Sequence, residues 1–272
     1  MSSPRALVIR TAGINCDLET EEALAVAGFS PERIHVNRLA RNPAPFASYR
    51  FIVFPGGFSY GDDVASGKVA AVEIAALFGE VLPRFVEEGG LILGICNGFQ
   101  TLVKMGLLPG ALHDSEPEQN KAPIRFTLTH NDSRKFEARW VRLVAPANAR
   151  SVFVEPEETL ELPVAHGEGK LVASGSDGTK ALSQAGLVGY RYAPRVKSAD
   201  MDSRPQYPDD PNGSLDQIAA LSDATGRVFG LMPHPERFMH GWHHPRWTRE
   251  GDPEREGDGL RLFRRAREAV GR

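Results

Sequence analysis

The segment Leu91-Ile92-Leu93-Gly94-Ile95-Cys96-Asn97-Gly98-Phe99-Gln100 constrains this chain more than any other. Its apolar opening reads as a strand covered on both faces, and the helical pattern of Asn97 to Met105, closed by Gly106, follows with no linker. Only a sharp turn joins a buried strand to a helix so directly, and the glycines two residues before and two after Cys96 permit it. The first third of the chain keeps the same alternation. Arg5 to Thr11 reads as a strand, Leu18 to Ala27 as an amphipathic helix ended by Gly28, and Arg33 to Asn37 as a short strand. Arg50 to Phe54 is a buried strand stopped by Pro55-Gly56-Gly57. Val69 to Glu87 has apolar residues at helical spacing, with Pro83 expected to bend or break it. Strands separated by helices imply right-handed crossovers and a parallel sheet.

The second half changes character. Residues 113–135 are polar and are expected to form a surface excursion. Short, turn-separated strand signals follow at 139–145, 160–166, 170–174 and 187–192, which suit antiparallel strands completing the sheet. Residues 198–214, rich in Pro, Asp, Ser and Gly, read as loop. Val228 to Met232 is a last apolar strand, and Leu260 to Val270 a basic terminal helix. With no internal repeat and no linker between two cores, the expectation is a single domain over 1–272. Its class is α/β, a mostly parallel open sheet with helices on both faces and with added antiparallel strands and loops in the second half.

Composition excludes several functions. Thirty-two basic residues face 35 acidic ones, a net charge of -3, so charge gives no reason to expect a nucleic acid or a membrane as partner. The apolar run Ala6 to Ile9 is too brief for a signal sequence, and no stretch approaches the ~20 apolar residues that span a bilayer. Cys16 and Cys96 are too few to staple a fold of 272 residues, which points to a cytoplasmic, reducing setting.

Cys96 has the setting of a nucleophile, the cysteine counterpart of the Gly-x-Ser-x-Gly elbow. A helix N-terminus beneath it favours the thiolate, and the backbone amide of Asn97 points where an oxyanion would form. Cys16, in Gly13-Ile14-Asn15-Cys16-Asp17, lacks the glycine pair and reads as a packing residue near the site, with Asn15 or Asp17 as a helix cap. A thiol needs a base and a group to orient that base. His166-Gly167-Glu168 and His234-Pro235-Glu236 both offer one, because residues two apart in an extended segment face the same side. The prolines flanking His234 stiffen the second pair, which favours His234 as base and Glu236 as its orienter. Gly56-Gly57 at a strand's carboxyl end lets backbone amides face a ligand. A phosphate loop fails on spacing, since five residues separate Gly61 from Gly67 and Val69 follows Lys68. The histidines at 234, 240, 243 and 244 lack the partners of a metal centre and read as a solvated, aromatic-rich surface.

Taken together, Gly94-x-Cys96-x-Gly98-x-Gln100, the earlier Gly56-Gly57 and the late His234-Pro235-Glu236 resemble the triad-type (class I) glutamine amidotransferases. The strings GINCDLE (13–19), GGFSYGDD (56–63), GICNGFQTLVKMGLLPG (94–110), AHGEG (165–169), PNGS (211–214) and MPHPER (232–237) narrow the resemblance to the glutaminase subunits of phosphoribosylformylglycinamidine synthases. It extends over essentially the whole chain, with extra length at 113–165 and 195–257. The resemblance implies hydrolysis of L-glutamine to glutamate and ammonia, and transfer of the ammonia to a separate synthetase subunit in purine biosynthesis. It assigns Cys96, His234 and Glu236 to catalysis and the amides of Gly57 and Asn97 to the oxyanion hole. Gly56 and Gln100 would contact the substrate. It implies no cofactor or metal on this chain, with ATP and Mg²⁺ on the synthetase partner, and a small third subunit in the complex. A stand-alone cysteine hydrolase and a non-catalytic relative are the rival readings. The glycine-rich stretch 56–63 further suggests a Gly57 peptide that rotates until a partner docks.

Overall fold

The computed structural model describes residues 3–42, 44–110, 125–175, 177–195, 204–249 and 252–271. Its first half alternates β1 (Arg5–Arg10), α1 (Asp17–Val26), β2 (Ser30–His35), α2 (Val36–Arg41), β3 (Phe51–Phe54), α3 (Lys68–Phe78), α4 (Val81–Glu87), β4 (Leu91–Ile95) and α5 (Asn97–Lys104). Then follow β5 (Phe126–Thr129), β6 (Glu137–Val144), β7 (Thr159–His166), β8 (Lys170–Ala173), α6 (Gly178–Ala185), β9 (Val188–Ala193), β10 (Ile218–Ser222), β11 (Val228–Leu231) and α7 (Leu260–Val270). Nine strands form one sheet in the order β2-β1-β3-β4-β11-β10-β9-β6-β7. The pairs from β2 to β11 are parallel, and every pair beyond β11 is antiparallel. This is the expected α/β class with its antiparallel completion. β5 and β8 make a separate two-stranded antiparallel ribbon.

Every residue of β3, β4 and β11 is buried, as both faces of a parallel sheet require. On β4, α5 lies unusually low. A Cβ added to Gly98 would stand 1.9 Å from the Phe54 carbonyl oxygen, and one on Gly94 would stand 2.8 Å from the Gly98 carbonyl. The glycines flanking Cys96 therefore let helix backbone rest on strand backbone.

Some element boundaries differ from the sequence reading. The second strand begins at Ser30, not Arg33, and includes Pro31. As the outermost strand it tolerates a residue that lacks an N–H. Val36 and Asn37 belong to α2, where the His35 ring accepts from Asn37 N at 3.3 Å. The 69–87 helix is two helices, parted at Gly79-Glu80. Pro83 does not break it, because it sits in the first turn of α4, where no intrahelical N–H partner is lost. β10 and α6 carried no recognised signal, and Phe126–Thr129 pairs with β8 inside the expected 113–135 excursion. Residues 113–124 and 198–203 of the expected surface segments lie outside those described.

The contact beneath α5 yields a stability test. Gly98→Ala puts a methyl against a backbone carbonyl that has no side chain to move aside, and overpacking of this kind costs about 1–3 kcal/mol or more. Nothing lies within 4 Å of a Cβ on Gly167, so Gly167→Ala is the matched control. Urea unfolding of both variants is expected to show a large loss for the first and less than about 1 kcal/mol for the second.

Candidate active site

The neighbouring parallel strands β1, β3, β4 and β11 deliver their carboxyl ends to one edge of the sheet, where open α/β folds bind ligands. Cys16 follows β1, Gly56-Gly57 follow β3, Cys96 follows β4, and His234-Pro235-Glu236 follow β11. Residues scattered over more than two hundred positions thus become neighbours through strand order alone.

Cys96 takes φ +49° and ψ -104°, a conformation that L residues rarely hold. Strain of this kind costs on the order of 1–3 kcal/mol and persists only where the surroundings enforce it. Here the Cys96 N–H donates to the Leu231 carbonyl of β11 at 2.8 Å, and its own carbonyl accepts from Gln100 N at 3.0 Å. The thiol is 5% exposed, with Sγ 3.6 Å from the Ala165 carbonyl. Asn97 is the first residue of α5, so its N–H has no intrahelical acceptor and stays available to an anion.

The two His-x-Glu pairs fold differently. His234 Nδ1 lies 2.6 Å from Glu236 Oε1. The His234 N–H donates to Pro163 O at 2.8 Å, and Pro235 opens the short turn that returns Glu236 to the ring. A carboxylate can only accept, so Nδ1 keeps its proton in both states of the ring, and Nε2 is the nitrogen that gains and loses one. Both Nε2 and Glu236 Oε2 are buried without a hydrogen-bond partner among the described residues. Burial alone pulls the His234 pKa down, but the charge of Glu236 and the sulfurs of Cys96 and Cys16 outweigh it and hold the pKa well above the usual histidine range.

His166 points elsewhere. Asn131 Nδ2 donates to the carbonyls of Lys135 and His166, which fixes its amide, and Asn131 Oδ1 then accepts from Gly169 N at 2.9 Å and faces His166 Nδ1 at 3.1 Å. Burial, reinforced by the positive charge of His234, lowers the His166 pKa to about 3. Glu168 turns away from it and accepts from Ser66 N at 3.1 Å. His166 and Glu168 do not form a dyad.

The loop after β1 braces the turn after β3. Phe58 N donates to Gly13 O at 3.0 Å, and Cys16 N donates to Gly56 O at 3.2 Å. In a planar trans peptide the N–H opposes the C=O, so the Gly57 N–H points away from the Cys16 amide that holds the Gly56 carbonyl. Gly57 has φ +145°, and a Cβ there would meet Asn15 N at 2.8 Å, so no other residue fits this turn.

Gln100, one turn along α5, is buried and engaged within the protein. Its Oε1 accepts from Asn97 Nδ2 at 3.1 Å, and its amide nitrogen donates to the Glu168 carbonyl. Asn97 Nδ2 also donates to Asp62 Oδ1 at 3.1 Å, and Asn97 Oδ1 accepts from Ser59 N at 3.3 Å. Asp62 in turn accepts from Ser66 Oγ at 2.8 Å. Burial raises the Asp62 pKa against these hydrogen bonds. Asp62 and Asn131, which cross-brace the loops around the thiol, were not singled out from sequence, although Asp62 lies in the string GGFSYGDD.

Cys16, His234 and Glu236 offer ligand atoms within 4.8 Å of one another, the geometry of a possible cation site. The Arg237 guanidinium donates to Cys16 Sγ at 3.1 Å, so a positive group already occupies that side of the sulfur. The later histidines pack among aromatic rings, His240 and His243 edge to face at 5.4 Å. His240 stacks on Trp242 at 4.2 Å, His243 Nδ1 accepts from Met239 N, and His244 is buried against Trp140 and Phe238, which corrects the expectation of a wholly solvated surface. Among the described residues no helix is long and apolar enough to cross a membrane.

Comparison with known proteins agrees with this geometry. A CobB/CobQ-like glutamine amidotransferase domain matches residues 3–270. The phosphoribosylformylglycinamidine synthase subunit PurQ of Dehalococcoides mccartyi is 45% identical, over 98% of this chain and 97% of that protein. The PurQ subunit of Archaeoglobus fulgidus is 35% identical, over 96% of this chain and 94% of its own length. Among solved structures, a chain of PurLQS from Thermotoga maritima matches with a TM-score of 0.68 and 31% identity, covering 97% of both chains. A glutamine amidotransferase from the same organism shares the fold, at a TM-score of 0.51 and 17% identity, covering 100% of both chains. With cysteine, histidine and carboxylate gathered at the carboxyl edge of its parallel strands, this chain belongs to the CobB/CobQ-like glutamine amidotransferase family.

Proposed function

We propose that the chain is the glutaminase subunit of a phosphoribosylformylglycinamidine synthase, acting as one domain over 1–272. It hydrolyses L-glutamine to glutamate and ammonia and passes the ammonia to a separate synthetase subunit in purine biosynthesis. The observation that carries this reading is a buried thiol on a strained strand-to-helix turn, beside an imidazole whose far nitrogen is held by a carboxylate at 2.6 Å.

In this mechanism the Cys96 thiolate attacks the side-chain amide carbon of glutamine. The amides of Gly57 and Asn97 stabilise the resulting oxyanion, each such donor being worth on the order of 10²–10³ in turnover. Imidazolium at His234 gives its Nε2 proton to the leaving nitrogen, which departs as ammonia and leaves a γ-glutamyl thioester on Cys96. Neutral His234 then takes a proton from water as the water attacks the thioester. Collapse of the second tetrahedral species expels the thiolate and releases glutamate. Glu236 fixes the tautomer and steadies the imidazolium through both halves. Gly56 lines the substrate's approach. Gln100 acts through Asn97 and the Glu168 carbonyl, shaping the pocket that receives glutamine. ATP and Mg²⁺ belong to the synthetase partner, and a small third subunit joins the two, by analogy with the Thermotoga PurLQS structure. Two buried free thiols are compatible with the reducing cytoplasm, where this reading places the enzyme.

Assay of the assembled complex tests these assignments. Cys96→Ala is expected to abolish glutamine-dependent synthesis while ammonia-dependent synthesis survives, because only amide hydrolysis needs the thiol. His234→Ala is expected to lower glutaminase turnover by about 10²–10⁴, the usual loss of a positioned base.

His166 gives a pH signature instead. Its folded pKa of about 3 lies below the unfolded value of 6.5, so between these values the unfolded chain binds the extra proton. Its contribution to stability is therefore complete above pH ~6.5 and is lost as pH falls toward ~3. Removing the ring with His166→Gln is expected to flatten the stability-versus-pH slope in that window by up to about 1.4 kcal/mol per pH unit, measured by urea unfolding of both proteins at matched pH.

A further inference from the structure

Cys96 is not alone at the catalytic imidazole. Cys16 is 1% exposed, and its sulfur lies within 4.8 Å of ligand atoms of His234 and Glu236, next to Gly56. A Cβ on Gly56 would stand 2.8 Å from His234 Cε1 and 3.1 Å from Cys16 Sγ, so the glycine keeps open the gap in which ring and sulfur meet. The sulfur is itself held. Arg237 Nη2 donates to it at 3.1 Å while Arg237 Nε donates to Glu19 at 2.9 Å, and the thiol faces Asn15 Oδ1 at 3.3 Å. Arg237 directly follows Glu236, so one short turn supplies both the carboxylate at Nδ1 and the guanidinium that fixes the neighbouring sulfur.

We propose that the Cys16 thiol, clamped by Arg237 and Glu19, is a positioning residue that sets the plane of the His234 ring so that Nε2 faces Cys96. Glu236 alone fixes one point on the imidazole. A ring held at one point can still tilt about that hydrogen bond, and displacement of a reacting group by about 1 Å costs as much as 10² in rate. Cys16 provides the second point. Its backbone acts on the other half of the site, since the Cys16 N–H fixes the Gly56 carbonyl and thereby the direction of the Gly57 donor. Cys16 itself is not a nucleophile here, because burial raises its pKa and keeps it a neutral thiol. The inference rests on His234 being the base, which His234→Ala tests separately.

The experiment compares Cys16→Ala, Cys16→Ser and Arg237→Met with the unsubstituted chain in the assembled complex. For Cys16→Ala, kcat for glutamine hydrolysis is expected to fall about 10- to 100-fold with less than about a threefold change in KM, as for a misplaced catalytic group. The groups facing His234 are Glu236 on its own turn, Cys96 at the head of α5, Cys16 after β1 and His166 at the end of β7, with Arg237 and Glu19 behind Cys16. Removing the thiol removes an interaction that favours the imidazolium, so the alkaline limb of the kcat profile is expected to move to lower pH. Cys16→Ser, which retains a hydrogen-bonding group, is expected to recover part of the rate. Arg237→Met, which leaves the thiol in place but unclamped, is expected to lower kcat in the same direction. It also keeps the test decisive should Cys16→Ala fail to fold. Unchanged kcat and an unmoved alkaline limb in folded Cys16→Ala overturn the proposal, and so does unchanged kcat in Arg237→Met. Loss of melting temperature with normal kinetics likewise overturns it, since that is the mark of a packing residue only.

Discussion

No side chain fits between the first turn of α5 and the carboxyl end of β3, where a Cβ on Gly98 would lie 1.9 Å from the Phe54 carbonyl oxygen. The rest of the site depends on that backbone-to-backbone contact. It brings the N-terminus of α5 down onto the sheet and forces the preceding residue into φ +49° to make the turn. The result is a thiol raised above the strand ends, with an unpaired helical N–H beside it. Strand order then sets the neighbours. β3 lies on one side of β4 and supplies Gly57; β11 lies on the other and supplies His234.

Electrostatics follows from this placement. Two histidines, each two residues before a glutamate, end up in opposite protonation regimes through their surroundings. His234 is desolvated but has a carboxylate at 2.6 Å and interacts with the sulfurs of Cys96 and Cys16, so its cationic form is supported. His166 is equally buried, but it faces an amide oxygen and the charge of His234, so it stays neutral. One ring can take and return a proton during turnover, while the other packs against Asn131 at the end of β7.

Much of this was legible in the sequence, for physical reasons that differ by element. β3, β4 and β11 are apolar throughout because both faces are covered, so their runs stand out, and the glycine spacing around Cys96 marks the turn. β2 was misplaced because an outermost strand needs no apolar run and accepts Pro31, and β10 was hidden by the small residues Ala219-Ala220. The 69–87 segment misled because proline breaks helices only beyond their first turn, and Pro83 lies within one. At the site, the choice of His234 over His166 followed from the flanking prolines. The roles of Asn131 and Asp62 did not, since bracing across loops leaves no periodic trace. Cys16 was read as packing near the site, and only the fold reveals that Arg237, 221 residues away, grips its sulfur.

The central claim is that of two buried thiols beside one imidazole, only Cys96 bonds covalently to substrate. Rapid acid quenching of the assembled complex during turnover with glutamine, followed by proteolysis and mass spectrometry, tests it directly. The account predicts a γ-glutamyl thioester on the peptide containing Cys96 and none on the peptide containing Cys16. An adduct on Cys16 would contradict it, as would sustained glutamine hydrolysis by a complex carrying Cys96→Ala.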